Sequence, residues 1–471
     1  MTLIRKFSLF FLPSVVQVAL YIALLPIMTF VLGPADYGVV ALVSAFSAFG
    51  TAIGSFGASY LIAAHYQIID ISEKKKMIST ITIVGLILAM AFSAGLLILW
   101  PAIKALFPIF ANIPFIGLAL SLLAMVLGIP WVFAYDVVVL DGKSKFYAIL
   151  LVMQCIISSL MMVLCLYVFK FGLLALFIGP VFGNLITFSG AIWYLHPYLE
   201  LSIHKEWLGK LWKLGFIGVI SYFTEIMQSF AEKSILSVYV GFKELGIYAH
   251  SQSYKSLAMI VMKASARTVW PITLSESREI DGKFVQTKKI WDTVYVAITF
   301  IGIALASLGQ YIIAILTHGK FTEAYVYATL WMLLLLLQHT GKPHAGLLYA
   351  TNQGVINAWI MICAAIFGIL SLFIFVPVFG LFGAVSAVFI QMIGYRIGIH
   401  VRANKLREIP FQDWWAIIGI IVIILTLVVS KYFVFNLTQN IVLFAVVNTM
   451  FIIIARPVIL RLASRLLYVL K

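Results

Sequence analysis

Apolar runs of twenty or more residues follow one another along this chain with little polar sequence between them. A helix of about 20 apolar residues spans the ~30 Å hydrocarbon core of a bilayer. Fourteen such runs can be drawn, at 8–31, 38–64, 77–100, 113–140, 146–169, 172–195, 212–240, 246–272, 290–317, 324–350, 355–378, 380–401, 413–435 and 438–456. The pattern predicts an all-α polytopic membrane protein, because backbone polar groups in lipid must be bonded within the spanning element itself.

Two runs carry an organised polar face. Run 246–272 holds Lys255, Lys263 and Arg267. At helical spacing they share an arc of about 120° with Gln252, Ser256, Met259 and Trp270, opposite Ala258, Val261, Ala264 and Val269. A mid-span cation costs roughly 2.5–3.5 kcal/mol on insertion scales. Three on one face therefore predict a use for positive charge inside the membrane, and an anionic substrate is the simplest. Run 212–240 carries Ser221, Tyr222, Glu225, Gln228, Ser229, Glu232 and Lys233 on one side. Because it runs antiparallel to its neighbour, Glu232 falls at the depth of Lys255 and Glu225 at that of Lys263. Two interhelical ion pairs would use both acids. Set against Lys233, Lys255, Lys263, Arg267 and Lys342, the two glutamates still leave a surplus of three positive charges. A water-filled cavity is a better home for that surplus than hydrocarbon.

Composition agrees: 63% of the 471 residues are hydrophobic and 10% are charged, against about a quarter charged in soluble proteins. The net charge of +15 would suit nucleic acid, but its placement argues against such a partner. Of the 32 Lys and Arg, 20 fall in segments on one side, five in loops on the other, and seven within spans or at their edges. That asymmetry is the positive-inside rule. It predicts both termini in the cytoplasm. The first apolar run is too long for a cleavable signal and continues into Leu32-Gly33-Pro34. Cys155, Cys165 and Cys363 are an odd set in apolar runs, which suits buried hydrophobic roles rather than a metal site. The link 196–213, with Trp207, Leu208, Leu211 and Trp212 among Lys205, Lys210 and Lys213, reads as an amphipathic segment on the inner surface.

The chain also repeats itself. Gly33, Asp36, Gly38 and Ala41 recur 208 residues later as Gly241, Glu244, Gly246 and Ala249, both times in a predicted outer loop. The offset implies two parallel six-helix bundles related by a pseudo-two-fold axis along the membrane normal. The expected divisions are an N-terminal bundle over 1–196, a cytoplasmic amphipathic linker over 197–211, a C-terminal bundle over 212–402, and two additional helices with a basic cytoplasmic tail over 403–471. The same offset sets Gln252, Lys255, Lys263 and Arg267 over Ser44, Ser47, Ser55 and Ser59, so a neutral serine stripe would face the charged one.

Stretch 12–60, through Leu32-Gly33-Pro34-Ala35-Asp36-Tyr37-Gly38 and Gly54-Ser55-Phe56-Gly57, resembles the polysaccharide flippases of the O-antigen (Wzx) type. Their superfamily also includes lipid II flippases and multidrug and toxin exporters. Thr29, Phe30 and Val31 stand where such flippases often carry a basic residue. The resemblance implies movement of undecaprenyl-diphosphate-linked oligosaccharide to the periplasmic leaflet of a bacterial inner membrane, for lipopolysaccharide or another surface polysaccharide. It implies alternating access, ion coupling of an antiporter kind, and polysaccharide polymerase and chain-length proteins as partners beside membrane lipids. On this reading Lys255, Lys263, Arg267, Lys342 and Gln252 bind the diphosphate. Arg267 would fork to its oxygens and the lysines act as point charges. Lipid II and small drugs are the alternative cargoes. A polymerase using the same donor is the enzymatic alternative, but no loop is long enough for an acceptor domain, so the expectation is a transporter without cofactor or catalytic residues.

Three further features stand out. His339-Thr340-Gly341-Lys342-Pro343-His344 predicts a proline kink, which either opens a polar site or hinge or is a plain kink with Lys342 reaching towards the inner surface; its histidines have no Cys or carboxylate in the same span to complete a metal set. Asp136, Glu225 and Glu232 are the candidates for ion coupling, with an interfacial seat as the plainer account of Asp136. Arg396 and Arg456 lie near inner span ends, where snorkelling to water is expected.

Overall fold

The computed structural model describes residues 3–278, 284–351, 353–409, 413–433 and 435–470, with the side chains of 3–11, 213–223, 225, 257, 260, 261, 263–268, 270, 271 and 462–470 outside the description. Helices occupy all fourteen predicted positions, and no strand occurs among the described residues. Ten helical stretches among the described residues are long and apolar enough to cross a membrane. Contacts divide the chain into two units, Met1–Gly246 and Ile247–Lys471.

The first unit contains α1 (Leu3–Val31), α2 (Pro34–Ser55), α3 (Ala58–His65), α4 (Ile71–Leu106), α5 (Phe115–Leu140), α6 (Ser144–Tyr167), α7 (Ala175–Leu195) and α8 (Lys205–Tyr239). Pro34 opens α2, where a missing N–H is no loss. Asp36 Oδ2 accepts from Gly33 N at 2.8 Å, so the aspartate of the repeated turn is a cap. The expected second span is interrupted at Phe56 (φ 37°) and Gly57 (φ 68°), which separate α2 from α3. Helix α2 packs on α4, α5 and α8, while α7 packs on α5 and α6. Asn184 on α7 donates to Ala124 O at 2.7 Å and accepts from Gln154 Nε2 at 2.9 Å, so polar groups join α5, α6 and α7.

The repeated turns touch each other. A methyl group on Gly38 would collide with the backbone carbonyl of Phe242, and one on Gly246 with the carbonyl of Pro34. Phe242 stands 208 residues after Pro34, as Gly246 does after Gly38. The contact is thus reciprocal within the repeat: each glycine admits the residue equivalent to the one its own mate admits. Both approaches are backbone to backbone, so no side chain can swing aside. The serines mapped by the offset have separate surroundings. Ser47 bonds Ser121 on α5 at 2.8 Å, Ser55 is buried with its hydroxyl on Ala52 O, and Ser44 is exposed. They are not one stripe.

The link before α8 lies on protein. Trp207 is buried, donates to Glu73 Oε2 at 2.8 Å and meets the His65 ring at 5.5 Å. Glu73 also pairs with Lys76, and Asp70 caps α4 by accepting from Glu73 N. Leu211 is buried as well, so the apolar face of the segment expected on the membrane surface is partly spent on the first unit, while Trp212 remains exposed. Beyond α3, Tyr66 donates to Asp141, which also accepts from Tyr194 at 2.6 Å. Burial, then the Tyr198 hydroxyl and the Asp141 charge, hold the Tyr66 phenol above its ordinary range, so it remains a donor.

The second unit contains most of α9 (Gly241–Arg278), then α10 (Val285–Leu316), α11 (Ala324–His339), α12 (Lys342–Ala350), α13 (Gly354–Asn404), α14 (Trp414–Tyr432) and α15 (Leu437–Leu470). Helix α10 packs on α11, α14 and α15. Two expected spans run together as α13, bent after Pro377 at Gly380 (φ 55°, ψ −128°). Cys165 is buried as expected, but Cys363 on α13 is exposed.

Gly38→Ala and Gly246→Ala should each destabilise the protein by about 1–3 kcal/mol through overpacking. Gly95→Ala on α4, where an added methyl meets nothing within 4 Å, should gain up to about 1 kcal/mol of helix propensity. Thermal unfolding in detergent should lower the midpoint for the first two and leave or raise it for the third.

Candidate functional site

Residues 324–350 were expected to form one kinked span, but the helix breaks. Thr340 is extended (φ −64°, ψ 151°) and Gly341 left-handed (φ 74°), a conformation open to glycine. Proline is not the bend itself. Pro343 lies in the first turn of α12, where its missing N–H is harmless. Lys342 is the first residue of α12 and is half-buried.

A break inside a membrane leaves amide and carbonyl groups that helix bonds no longer serve. Here neighbouring helices serve them. Tyr295 on α10 points its hydroxyl at His339 O (2.9 Å) and Asp413 Oδ1 (3.2 Å), and Gly341 N donates to Asp413 Oδ2 at 3.0 Å. Asp413 is the residue before α14, yet its side chain caps no amide of its own helix. Arg396 of α13 completes the set, with Nη2 3.3 Å from Asp413 Oδ2 and side chains 15% and 11% exposed. The expected snorkelling of Arg396 is therefore replaced by a buried ion pair. Its Nη1 lies 3.3 Å from His344 Nδ1, and His344 Nε2 lies 3.1 Å from His400 Nδ1. Arg396 has only donors, so His344 accepts at Nδ1, holds its proton at Nε2 and donates to His400.

On the other side of the break, His339 is buried and stacked on Trp291, ring centroids 5.2 Å apart. Of the predicted binding residues, Lys342 begins α12 just after the break and Lys255 lies on α9. Lys255 Nζ sits 4.4 Å over the ring of Trp331, which is buried and donates to Ser251 Oγ at 3.2 Å. Such a contact is worth about 0.5–2 kcal/mol, depending on solvent access. Gln252 is half-buried on α9.

The side chains of Lys263, Arg267 and Glu225 lie outside the described residues. Glu232 is buried on α8 and belongs to the first unit, whereas Lys255 belongs to the second. Asp136 is half-buried on α5. Sequence reading missed Asp413, Tyr295 and Asp292. Asp413 resembles an ordinary residue at the start of a span, and nothing local connects it with Gly341. Asp292 is buried on α10 beside Trp291; a carboxylate two residues inside the expected span 290–317 was the available signal.

Two units of long helices, with ten stretches among the described residues able to cross a bilayer, define a polytopic helical membrane protein. A family model described as polysaccharide biosynthesis protein matches residues 27–333, and the chain belongs to that family. The solved lipid II flippase MurJ, inward closed, superposes with a TM-score of 0.66 at 16% identity, covering 97% of this chain and 100% of that one. An inward-facing multidrug resistance MATE transporter gives 0.61 at 14% identity, covering 84% and 99%. A superfamily transporter from Pyrococcus furiosus gives 0.51 at 14%, covering 91% and 96%. These likenesses establish the fold. No curated protein matches the sequence.

Removing one partner of a buried ion pair typically costs about 3–5 kcal/mol. Arg396→Gln and Asp413→Asn should each lower the unfolding midpoint of the purified protein. The double variant should recover part of the loss, because the asparagine amide still offers Gly341 N–H an acceptor and no lone charge is left. A double loss equal to the sum of the singles would show that the two side chains do not interact.

Proposed function

We propose that this protein is a flippase that carries an undecaprenyl-diphosphate-linked oligosaccharide repeat unit from the cytoplasmic to the periplasmic leaflet of the bacterial inner membrane, for O-antigen or another surface polysaccharide. The observation that carries the reading is the match of the chain to the polysaccharide biosynthesis family, with Lys255 seated on the ring of Trp331 and Lys342 at the start of α12 as cations within the expected spans. Cations placed there at such cost to insertion suit a diphosphate headgroup, and Gln252 adds a neutral donor. Lys263 and Arg267 follow on the same face of α9 by helical spacing and extend the binding stripe. The aliphatic tail of the cargo stays in lipid while its polar head crosses through the protein.

Transport proceeds by alternating access, with both termini cytoplasmic as the basic residues predict. With the cell interior negative, moving two negative charges outward gains about 4–5 kcal/mol per 100 mV. Release from the cations opposes that gain, and an exchanged ion offsets it. Asp136, Glu225 and Glu232 are the groups proposed to couple the ion. Polysaccharide polymerase and chain-length proteins are the proposed partners at the outer leaflet.

The direct test is reconstitution into vesicles with lipid-linked oligosaccharide, scoring leaflet transfer against glycosidic bond formation. Transfer without bond formation is expected; bond formation would make the protein a polymerase. Lys263→Gln/Arg267→Gln should abolish polymer export in cells while membrane insertion is unchanged, and normal export from that double variant would refute the diphosphate stripe. Among Asp136→Asn, Glu225→Gln and Glu232→Gln, at least one should alter the pH or sodium dependence of transfer. Unchanged dependence in all three would remove the coupling proposal.

A further inference from the structure

Lys342 has its place in the fold only because the chain between His339 and Lys342 leaves the helix. Its backbone turns at Gly341, and that turn is held from outside by one carboxylate and one phenol. Asp413 Oδ2 takes the Gly341 N–H at 3.0 Å, and Tyr295, whose hydroxyl sits 2.9 Å from His339 O, also touches Asp413 Oδ1 at 3.2 Å. Arg396 fixes the carboxylate, and a methyl added at Gly341 would collide with its guanidinium. The arrangement leaves little slack. A group on α10, one on α13 and one preceding α14 converge on two consecutive peptide units, immediately before the lysine.

Pro343 accounts for a break but not for its direction. In a continuous helix His339 O would lose its donor, because Pro343 has no N–H and its ring crowds that carbonyl. Tyr295 supplies the missing donor, while the left-handed turn at Gly341 and its bond to Asp413 set where the chain goes next. The break changes where the next side chain emerges. In a continuous α11 each residue advances by a fixed rotation and rise. With Thr340 extended and Gly341 left-handed, Lys342 instead starts a new helix. An unheld turn would sample other directions, and the charge with it.

We infer that Asp413, braced by Arg396 and Tyr295, is a positioning group for the cargo's phosphates: it acts through Lys342 by holding the α11–α12 turn from which this lysine emerges. The inference rests on the proposed function in taking Lys342 as a phosphate-binding residue. Asp413 itself, being anionic, does not touch the cargo.

The test is a double-variant cycle on the purified full-length protein, with undecaprenyl diphosphate as the probe and undecaprenol, which lacks phosphate, as the control. Lys342→Gln should weaken diphosphate binding by about tenfold, the size of one charge-assisted contact. Asp413→Ala and Tyr295→Phe should each weaken it severalfold in the parent protein, but by less than about twofold in the Lys342→Gln background, since they act through a charge already removed. Undecaprenol binding should be unchanged throughout, whereas a general structural defect would lower it too. Equal weakening in both backgrounds, or loss of undecaprenol binding alongside, overturns the positioning role and leaves Lys342 as a binding residue. If Lys342→Gln leaves diphosphate affinity intact, Lys342 is not a phosphate ligand and the inference falls with that part of the proposed function. Should Asp413→Ala fail to fold, Tyr295→Phe, which keeps the ion pair, decides alone.

Discussion

A membrane-spanning backbone has to satisfy its own polar groups, and this protein breaks a helix within an expected span. The interruption between α11 and α12 survives because Asp413, Tyr295 and Arg396 bring hydrogen bonds and charge to it from three other elements. Asp413 lends its carboxylate to Gly341 instead of capping α14. Arg396 compensates the charge this buries. His344 then accepts from a second guanidinium nitrogen and lies in turn against His400. The whole network follows from one requirement, that an amide and a carbonyl released from a helix must not be left unpaired in an apolar medium.

The two units use polar chemistry differently. In the first, hydrogen bonds mostly join one helix to the next: Gln154 to Asn184, Ser47 to Ser121, Tyr66 and Tyr194 to Asp141. In the second, bonds of that kind also occur, as between Tyr395 and Asn357, but one group of them gathers on the irregular segment between α11 and α12.

Close approach at the repeated turns has another origin. Gly38 and Gly246 admit each other's loops because neither has a Cβ, and the 208-residue offset makes the two contacts equivalent. The glycines looked like turn formers in the sequence. Their heavier duty is to let two backbones touch.

Hydropathy alone determined the helical class, because a bilayer imposes length and apolarity on each crossing segment separately; it did not show the breaks after α2 and α11 or the joining of two expected spans as α13. The repeated Gly-x-x-x-x-Gly turns were also legible, as were the cations placed within the expected spans, Lys255 and Lys342 among them. These are local properties, and burying charge in lipid is costly enough to mark its bearer. Local pattern failed wherever a partner came from far along the chain. The serine stripe dissolved into unrelated contacts, the expected proline kink became a turn at Gly341, and Arg396 found a carboxylate instead of water. Asp413 stands 72 residues from Gly341 and looks like any acid at the edge of a span. Only tertiary structure could join them, because a hydrogen bond depends on ångström-scale proximity in space, and sequence separation carries no record of that.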